Sequence, residues 1–205
     1  MQKQTFFITG ISTEVGKTVA SAIITEALEA DYWKPIQAGD LDHTDTDKVK
    51  ALVSNATTQF HPSAFELKTP MSPHAAAEID GVKIASTEMQ IPNTNNNLVI
   101  EGAGGLLVPI SETETILDLI KPEYKVIVIS RHYLGSINHT LLTIDKLKQS
   151  GKSIFGILFS GAENPSTEQI IATMSGVKIL GRIDEEPYFD QMVVKEYAEV
   201  FREQL

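Results

Sequence analysis

Cysteine is absent from this sequence of 205 residues, which excludes disulfide bonds, thiolate metal sites and a cysteine nucleophile. An excess of basic residues is also absent, because the formal net charge is −10. That charge argues against nucleic acid or an anionic membrane as the main partner. No hydrophobic run approaches the length of a membrane span. Strand-forming sequence begins directly after residues 1–4, so we expect no signal peptide and a cytoplasmic protein.

Short runs rich in Ile and Val, without polar alternation, predict strands that are buried on both faces. These runs are Thr5–Thr9, Leu98–Glu101, Lys125–Ser130, Ile154–Ser160 and Lys178–Ile183. Helical spacing is found over Lys17–Ala30, Ile137–Gln149, Glu168–Met174 and Tyr188–Gln204. The alternation predicts an α/β fold with a mainly parallel sheet and helices on both faces. No shift in composition marks a boundary, so we expect a single domain over residues 1–205, in which Thr57–Asn97 is mostly loop with one or two helices.

The stretch FFITGISTEVGKTVAS, Phe6–Ser21, has the form of a phosphate-binding loop between a strand and a helix. The usual pattern is G-x-x-x-x-G-K-[ST], but here five residues separate Gly10 from Gly16. Backbone N–H groups and the helix dipole would face an anion at this point. Lys17 can reach the outer phosphates and Thr18 can offer its hydroxyl to Mg²⁺. The alternative is a strand-turn-helix that carries G-K-T by chance.

Two further residues are candidates for the same site. Glu101 ends an apolar strand before a glycine-rich turn, at the sheet edge where open α/β folds bind ligands. Lys34 precedes Pro35, which favours an extended backbone. If the strand Tyr32–Gly39 neighbours the first strand, Lys34 points toward the phosphates and would stabilise charge in phosphoryl transfer. The alternatives are a solvated glutamate and an ordinary surface lysine.

Five motifs together carry a resemblance to a known family. In chain order they are TGISTEVGKT (9–18), KPIQAG (34–39), PMSPH (70–74), EGAGG (101–105) and LGSINH (134–139). The set resembles dethiobiotin synthetase, an enzyme of biotin biosynthesis, and the resemblance extends over nearly the whole chain. In that family the phosphate loop contains the extra residue. The resemblance therefore implies a P-loop NTPase-like fold with three α/β/α layers.

The resemblance also implies a reaction, that of an ATP-dependent cyclo-ligase. The substrate 7,8-diaminononanoate reacts with CO₂ to give a carbamate, and ATP phosphorylates the carbamate to a mixed anhydride. The second amine then closes the ring, which gives dethiobiotin, ADP and phosphate. ATP is thus a co-substrate and Mg²⁺ the implied cofactor. This chemistry needs positioning and charge stabilisation rather than a protein nucleophile.

The family's residue roles transfer to matching positions by resemblance. Lys17 would bind the phosphates, and Lys34 would lie beside the carbamate and the γ-phosphate. The metal ligands would be Thr18, Glu101 and an aspartate, for which Asp45 fits best and Asp47 stays an alternative. Thr13 would lie next to the phosphates and substrate as a catalytic residue. Further nucleotide contacts are expected at Glu14, Val15, Gly16, Val19, Gly102, Ala103, Gly104, Ser160 and Gly161, and in the stretch Ile183–Phe189.

The substrate contacts implied by the resemblance are Ala38 and a turn at a predicted helix start. The turn consists of Gly135, Ser136, Ile137 and Asn138. Its backbone donors would receive the substrate carboxylate from the second subunit of a homodimer, and a helix start suits a carboxylate. The alternative is a capped helix with Ser136 or Asn138 as the N-cap.

Two positions depart from the family pattern. Ala38 stands where many members have Ser or Thr, which removes one hydrogen bond to substrate. Ser160 stands where many members have an Asn that reads the edge of adenine. A single hydroxyl cannot reproduce the paired donor and acceptor of an amide. We therefore expect weaker discrimination among nucleoside triphosphates.

Three other protein classes are alternatives to this family. P-loop ATPase switches of the ParA or Mrp type usually have a lysine after the first loop glycine, where this sequence has Ile11. A cobyrinate amidotransferase-like synthase would need a glutaminase domain with a cysteine. A catalytically silent nucleotide-binding module would have lost the lysines or carboxylates, which are present here.

Overall fold

The computed structural model describes residues 3–205. Met1 and Gln2 lie outside the described residues, and the expectation of no signal peptide partly depends on them. The described residues contain nine strands: β1 (Thr5–Gly10), β2 (Asp31–Trp33), β3 (Ile36–Ala38), β4 (Phe60–His61), β5 (Phe65–Leu67), β6 (Leu98–Gly105), β7 (Lys125–Arg131), β8 (Ser153–Ser160) and β9 (Ile179–Ile183). The α-helices are α1 (Lys17–Leu28), α2 (Asp45–Leu52), α3 (Pro73–Asp80), α4 (Ser136–Gln149), α5 (Pro165–Ser175) and α6 (Gln191–Arg202). Two short 3₁₀ helices cover Ser86–Glu88 and Ile116–Leu119.

Seven of the strands form one sheet in the order β4-β2-β6-β1-β7-β8-β9, and its neighbouring strands run parallel. The helices form two groups, in which α1 packs against α2 and α6 while α4 packs against α5. The result is a three-layer α/β/α fold, as predicted. The central strands are buried on both faces, which explains their continuous apolar sequence. None of the helices described between residues 3 and 205 has the length and apolar character that crossing a bilayer requires.

The predicted strand Tyr32–Gly39 is wrong, because this stretch forms two strands in two sheets. β2 ends at Trp33, and β3 pairs instead with β5 in a separate two-stranded sheet. Pro35 lies between them and cannot donate to a strand ladder. β2 also does not neighbour β1, because β6 lies between these two strands. Lys34 thus leaves the sheet at the end of β2, beside the strand that carries Glu101.

Two other regions differ in detail from the prediction. The segment Thr57–Asn97 contains one α-helix and one 3₁₀ helix, as predicted, but also the short strands β4 and β5, which the sequence did not indicate. The C-terminal helix begins at Gln191 rather than Tyr188. Asp190 sets this start, since its carboxylate accepts hydrogen bonds from the N–H groups of Met192 and Val193.

Candidate active site

The carboxyl ends of β1, β2 and β6 open onto a cleft of about 780 Å³. This is the edge at which parallel α/β sheets bind their ligands. Most of the predicted site residues line this cleft: Thr13, Glu14, Gly16, Lys17, Thr18, Val19, Lys34, Ala38, Asp45, Glu101, Ala103 and Gly104. The fold therefore gathers predicted site residues from three of the five motifs, together with Asp45, around one space.

The loop between β1 and α1 forms one wall of the cleft. Gly16 is the N-cap of α1 with a φ of 89°, a left-handed conformation that favours glycine. A Cβ atom at Gly16 would lie only 2.8 Å from the hydroxyl oxygen of Ser160. Among the described residues, no side chain caps the start of α1. Its first N–H groups are therefore available to an anion.

Lys17 is folded back onto this loop. Its Nζ donates a hydrogen bond to the carbonyl oxygen of Ser12 at 3.0 Å, and the residue is only 7% exposed. The pKa of Lys17 is lowered to about 8, mainly by burial; the charge of Glu101 opposes this shift and the charge of Lys34 contributes to it. A phosphate in the cleft would favour the charged form of this lysine.

Glu101 lies at the centre of the polar network and is only 1% exposed. Its Oε1 accepts hydrogen bonds from Thr18 Oγ1 and from Lys34 Nζ, each at 3.0 Å. Its Oε2 accepts a hydrogen bond from the hydroxyl of Tyr32 at 2.9 Å. Tyr32 is not among the site residues predicted from the sequence. A signal was available, since Tyr32 precedes Lys34 by two residues in an extended stretch and so shares its face.

Asp45 provides the second carboxylate of the cleft. Its Oδ2 lies 2.5 Å from Lys34 Nζ, and Lys48 Nζ donates to its Oδ1 at 3.2 Å. Burial alone would raise the pKa of Asp45, but the two lysines outweigh burial and lower it. Burial alone would likewise lower the pKa of Lys34, but Glu101 and Asp45 raise it. The Lys34 ammonium and the Asp45 carboxylate are therefore charged at neutral pH.

Asp47, the other candidate carboxylate, has a different environment. It is exposed, and its Oδ2 accepts hydrogen bonds from the N–H and the hydroxyl of Thr44, at 2.9 and 2.7 Å. Thr44 in turn accepts from the N–H of Asp47, which completes a capping box at the start of α2. Asp47 is thus engaged in a helix cap, whereas Asp45 contacts Lys34.

The donor set of the cleft fits Mg²⁺. Thr18, Glu101 and Asp45 offer one hydroxyl and two carboxylates, the hard oxygen ligands that Mg²⁺ prefers. The ammonium of Lys34 bridges the two carboxylates, so a cation already lies where these oxygens converge. Residues 3–205 contain no group of three or more His, Cys, Asp or Glu side chains arranged for a metal. Mg²⁺ sites with substrate phosphates use only one or two carboxylates, so this finding agrees with the fit.

A second hollow of about 340 Å³ continues the cleft and shares Gly16, Val19 and Arg131 with it. Ser160 lines this hollow together with Ile183, Asp184, Glu185, Glu186 and Phe189. Arg131 was not predicted, although it directly follows a predicted strand that ends at the same sheet edge. Its guanidinium donates to Glu185 Oε1 at 2.7 Å, and the pair lies beside Gly161.

Three of the predicted nucleotide contacts do not line the cleft or this hollow. Val15 is buried in the core. Gly102 lies inside β6, where a Cβ atom would approach Phe7 and Ile116 to 3.1 and 3.2 Å. Gly161 lies behind the Arg131–Glu185 pair. The Val15 side chain and the two glycines contribute to packing. Only the backbone atoms of these three residues could contact a ligand.

The turn at the start of α4 lies outside the cleft of its own chain and lines a separate hollow of about 790 Å³. The alternative interpretation, with Ser136 or Asn138 as the N-cap, is wrong: the N-cap is Gly135, with a φ of 103° that favours glycine. The N–H of Ser136 donates to the carbonyl of Tyr133 at 2.9 Å. In the described part of the chain no side chain caps this helix start, which leaves N–H groups of its first turn for another acceptor.

Comparison with known proteins gives similar proteins that share one name, and a family model that matches most of the chain. A family model described as an AAA domain matches residues 4–193. The ATP-dependent dethiobiotin synthetase BioD of Christiangramia forsetii is 62% identical over 98% of this chain and 98% of its own. The ATP-dependent dethiobiotin synthetase BioD of Cytophaga hutchinsonii is 48% identical over 94% of both chains.

Solved structures of similar fold are more distant in sequence. The septum site-determining protein MinD from Pyrococcus horikoshii, complexed with Mg-ADP, has a TM-score of 0.63 at 12% identity, over 100% of this chain and 94% of its own. A ParA family ATPase from Chlorobium tepidum has a TM-score of 0.60 at 11% identity, over 96% of this chain and 98% of its own. At such low identity these likenesses bear on the fold alone, and they agree with a P-loop NTPase-like architecture.

Proposed function

This chain belongs to the family of ATP-dependent dethiobiotin synthetases, and from that premise we propose that its cleft joins CO₂ to 7,8-diaminononanoate and closes the ring of dethiobiotin with ATP. The observation that carries the proposal is the contact of Glu101 with both Thr18 and Lys34 beside the phosphate loop. Such a site supplies positive charge and positioning, which phosphoryl transfer requires.

The reaction has three steps, and none needs a protein nucleophile. One amine of the substrate adds to CO₂ and loses a proton, which gives a carbamate. A carbamate oxygen attacks the γ-phosphorus of ATP, the bond to the bridging oxygen breaks, and ADP leaves with its electron pair. The second amine then attacks the carbonyl carbon of the carbamic–phosphoric anhydride, loses its proton and expels phosphate as the ring closes.

The residues of the cleft have separate roles in this scheme. N–H groups of the loop and Lys17 bind the phosphates of ATP. Lys34 neutralises the negative charge that the carbamate and the γ-phosphate bring together. Thr13 lines the cleft beside them and orients the reacting groups. Substrate lies over Ala38, on the side of the cleft away from the base hollow.

Mg²⁺ is part of the proposal, with Thr18, Glu101 and Asp45 as the residues that would hold it. When bound, Mg²⁺ supplies charge neutralisation to the phosphate oxygens. The support is the chemistry of these oxygen donors and the cationic Lys34 between the two carboxylates. Asp45 is preferred to Asp47 because Asp47 is engaged in the cap of α2.

The nucleotide is proposed to extend from the phosphate loop into the hollow that contains Ser160. Continuity of the two spaces through Gly16 and Val19 supports this path. The further nucleotide contacts proposed are Glu14, Ala103, Gly104 and, through backbone atoms, Val15, Gly102 and Gly161. Ser160 offers the base one hydroxyl, so selection for adenine is weaker than an amide would give.

A homodimer with a shared substrate site completes the proposal. Backbone N–H groups in the turn Gly135–Asn138 would bind the substrate carboxylate of the other subunit. The support is that this turn lies outside its own chain's cleft and has no side-chain cap among the described residues. Apolar side chains that line the same hollow are solvent-exposed in the single chain, among them Leu134 and Met174.

We also propose that residues 1–205 act as one domain in the cytoplasm. One apolar cluster that joins β1, α1 and α6 through Phe6, Ile23 and Phe201 supports the single domain. The need for ATP, and a sequence with no cysteine to oxidise, support the location. Cell fractionation with an antibody to the chain tests the location directly.

An end-point assay tests the function itself. Purified protein is mixed with 7,8-diaminononanoate, bicarbonate, MgCl₂ and ATP, and dethiobiotin is measured by mass. We expect product from the wild type and severe losses in Lys17→Ala and Lys34→Ala. Lys50→Ala, an exposed lysine on α2, is the matched control and should retain activity. ATP hydrolysis without the diamine, and without dethiobiotin, would contradict the proposal and indicate a switch ATPase.

A further inference from the structure

Tyr32 is a fully buried residue whose hydroxyl is directed at the cleft network. It is 0% exposed, and it donates a hydrogen bond to Glu101 Oε2 at 2.9 Å. Glu101 Oε1 instead accepts hydrogen bonds from Thr18 Oγ1 and Lys34 Nζ. The two oxygens of this carboxylate therefore have separate partners, one inside the protein and one in the cleft.

This division fixes the orientation of the carboxylate. A half-turn of the Glu101 carboxylate only exchanges two equivalent oxygens and restores the same contacts, whereas a smaller rotation would break contacts on both sides. A hydrogen bond from a rigid, buried ring opposes such a partial rotation, because it would leave a buried hydroxyl without an acceptor. Tyr32 itself does not line the cleft, so any effect it has on a ligand passes through Glu101.

The hydroxyl is the donor in this contact, because an ionised carboxylate can only accept a hydrogen bond. β2 also orients the neighbouring lysine, because Tyr32 and Lys34 are two residues apart in an extended stretch and share a face. One short strand thus orients both groups that contact Glu101 from this side.

We propose that Tyr32 is a positioning residue for the divalent cation of the nucleotide complex: it occupies Glu101 Oε2 and leaves Oε1 as the oxygen offered to Mg²⁺. This inference rests on the proposed function, since it concerns the metal that accompanies ATP. Hydrogen-bond partners behind a metal ligand typically change metal affinity by about 10–100-fold when removed. A residue that only filled the core would not change metal affinity selectively.

The test is calorimetry of ADP binding, with Mg²⁺ and separately with EDTA, to the wild type and to Tyr32→Phe. We expect Mg²⁺ to strengthen ADP binding in the wild type and this gain to fall about 10-fold or more in the variant. ADP binding in EDTA should be unchanged, because Tyr32 does not contact the loop. Tyr124→Phe is the control, since Tyr124 is buried and lines a different cavity with Phe7 and Trp33.

The outcomes separate this inference from the proposed function. An equal Mg²⁺ gain in wild type and Tyr32→Phe would overturn the role of Tyr32 and leave the function intact. No ADP binding by the wild type in either condition would overturn both. If Tyr32→Phe does not fold, 3-fluorotyrosine at the five tyrosines provides the test in the native sequence. A buried fluorine resonance should then shift when Mg²⁺ is added to the ADP complex, and the absence of any shift would overturn the inference.

Discussion

The ammonium nitrogen of Lys34 lies 3.0 Å from Oε1 of Glu101. Lys34 directly follows β2 and Glu101 lies in β6, and these two strands are neighbours in the sheet although far apart in the sequence. Both are almost completely buried, and Asp45 supplies a second carboxylate to the same lysine. An ion pair in such a place is strongly destabilising when one partner is removed, because the remaining charge stays desolvated.

Lys34→Met should therefore affect both catalysis and stability. Removal of the charge should lower kcat by at least about 10²–10³-fold, the usual effect of losing a group that stabilises transition-state charge. It should also lower the free energy of unfolding by about 3–5 kcal/mol, since two carboxylates lose their cation. Mg²⁺ should raise the melting temperature of Lys34→Met more than that of the wild type. Equal stability of Lys34→Met and a Lys50→Met control would contradict the predicted decrease in the free energy of unfolding.

Asp45→Asn and Asp47→Asn separate the two candidate metal ligands. Asp45→Asn should raise the Mg²⁺ concentration needed for half-maximal activity by about tenfold or more, because a charged oxygen ligand is replaced by a neutral one. Asp47→Asn should leave this concentration unchanged and lower the melting temperature, because it weakens the capping box of α2. A titration of activity with MgCl₂ and a thermal melt measure both effects. The reverse pattern would make Asp47 the ligand.

Local motifs predicted most of this site, and the missing parts depend on contacts between strands. The phosphate loop and Glu101 each have a signature within a few residues, so the sequence was sufficient to find them. Tyr32 has only its spacing from Lys34 as a signal, and Arg131 only its position after a predicted strand, because their importance comes from which strand lies beside which. The alternative N-cap of α4 was wrong for a local reason: Gly135 adopts a left-handed conformation and starts the helix one residue earlier. The break at Pro35 likewise divided one predicted strand into two.

Nucleotide binding should take up a proton at alkaline pH. Burial lowers the pKa of Lys17 from 10.5 to about 8, so the free protein loses this charge above pH 8. Phosphates favour the charged lysine, so ADP binding at pH 9 should be accompanied by proton uptake and should weaken as pH rises. Calorimetry at pH 9 in buffers of different ionisation enthalpy measures the uptake, which Lys17→Met should abolish. The same uptake in Lys17→Met would assign the proton to another group.

The free protein should show the linked effect on stability. The folded-state pKa of Lys17 is below its unfolded value, so between pH 8 and 10.5 the unfolded chain binds more protons. The contribution of Lys17 to the free energy of unfolding should therefore increase with pH across this window. Denaturant titrations of the wild type and Lys17→Met at pH 7.5 and 10 isolate this contribution. A difference between the two proteins that does not change with pH would contradict the assignment.

Ser160 should make the enzyme tolerant of the nucleotide base. Its hydroxyl offers fewer hydrogen bonds to a base than the amide of Asn would. Because one hydrogen bond contributes about 1 kcal/mol, kcat/KM for GTP and CTP should be within about tenfold of the value for ATP. Ser160→Asn should widen the gap in favour of ATP. Its longer side chain must extend into the base hollow, because Gly16 leaves no room on the loop side. A strong ATP preference in the wild type would contradict this prediction.

The shared substrate site can be tested with two inactive variants. Lys34→Ala removes a group inside the cleft, and Ile137→Pro removes a backbone N–H in the first turn of α4, where proline is tolerated. Ile137→Ala keeps the N–H and is the control, which should retain activity.

If the turn serves its own chain, a mixture of the two variants stays inactive. If it serves the partner, each mixed dimer combines the intact Lys34 of one chain with the intact turn of the other. One of its two sites is then complete, so subunit exchange should restore part of the activity. Recovery can arise only when residues of both chains meet at one substrate.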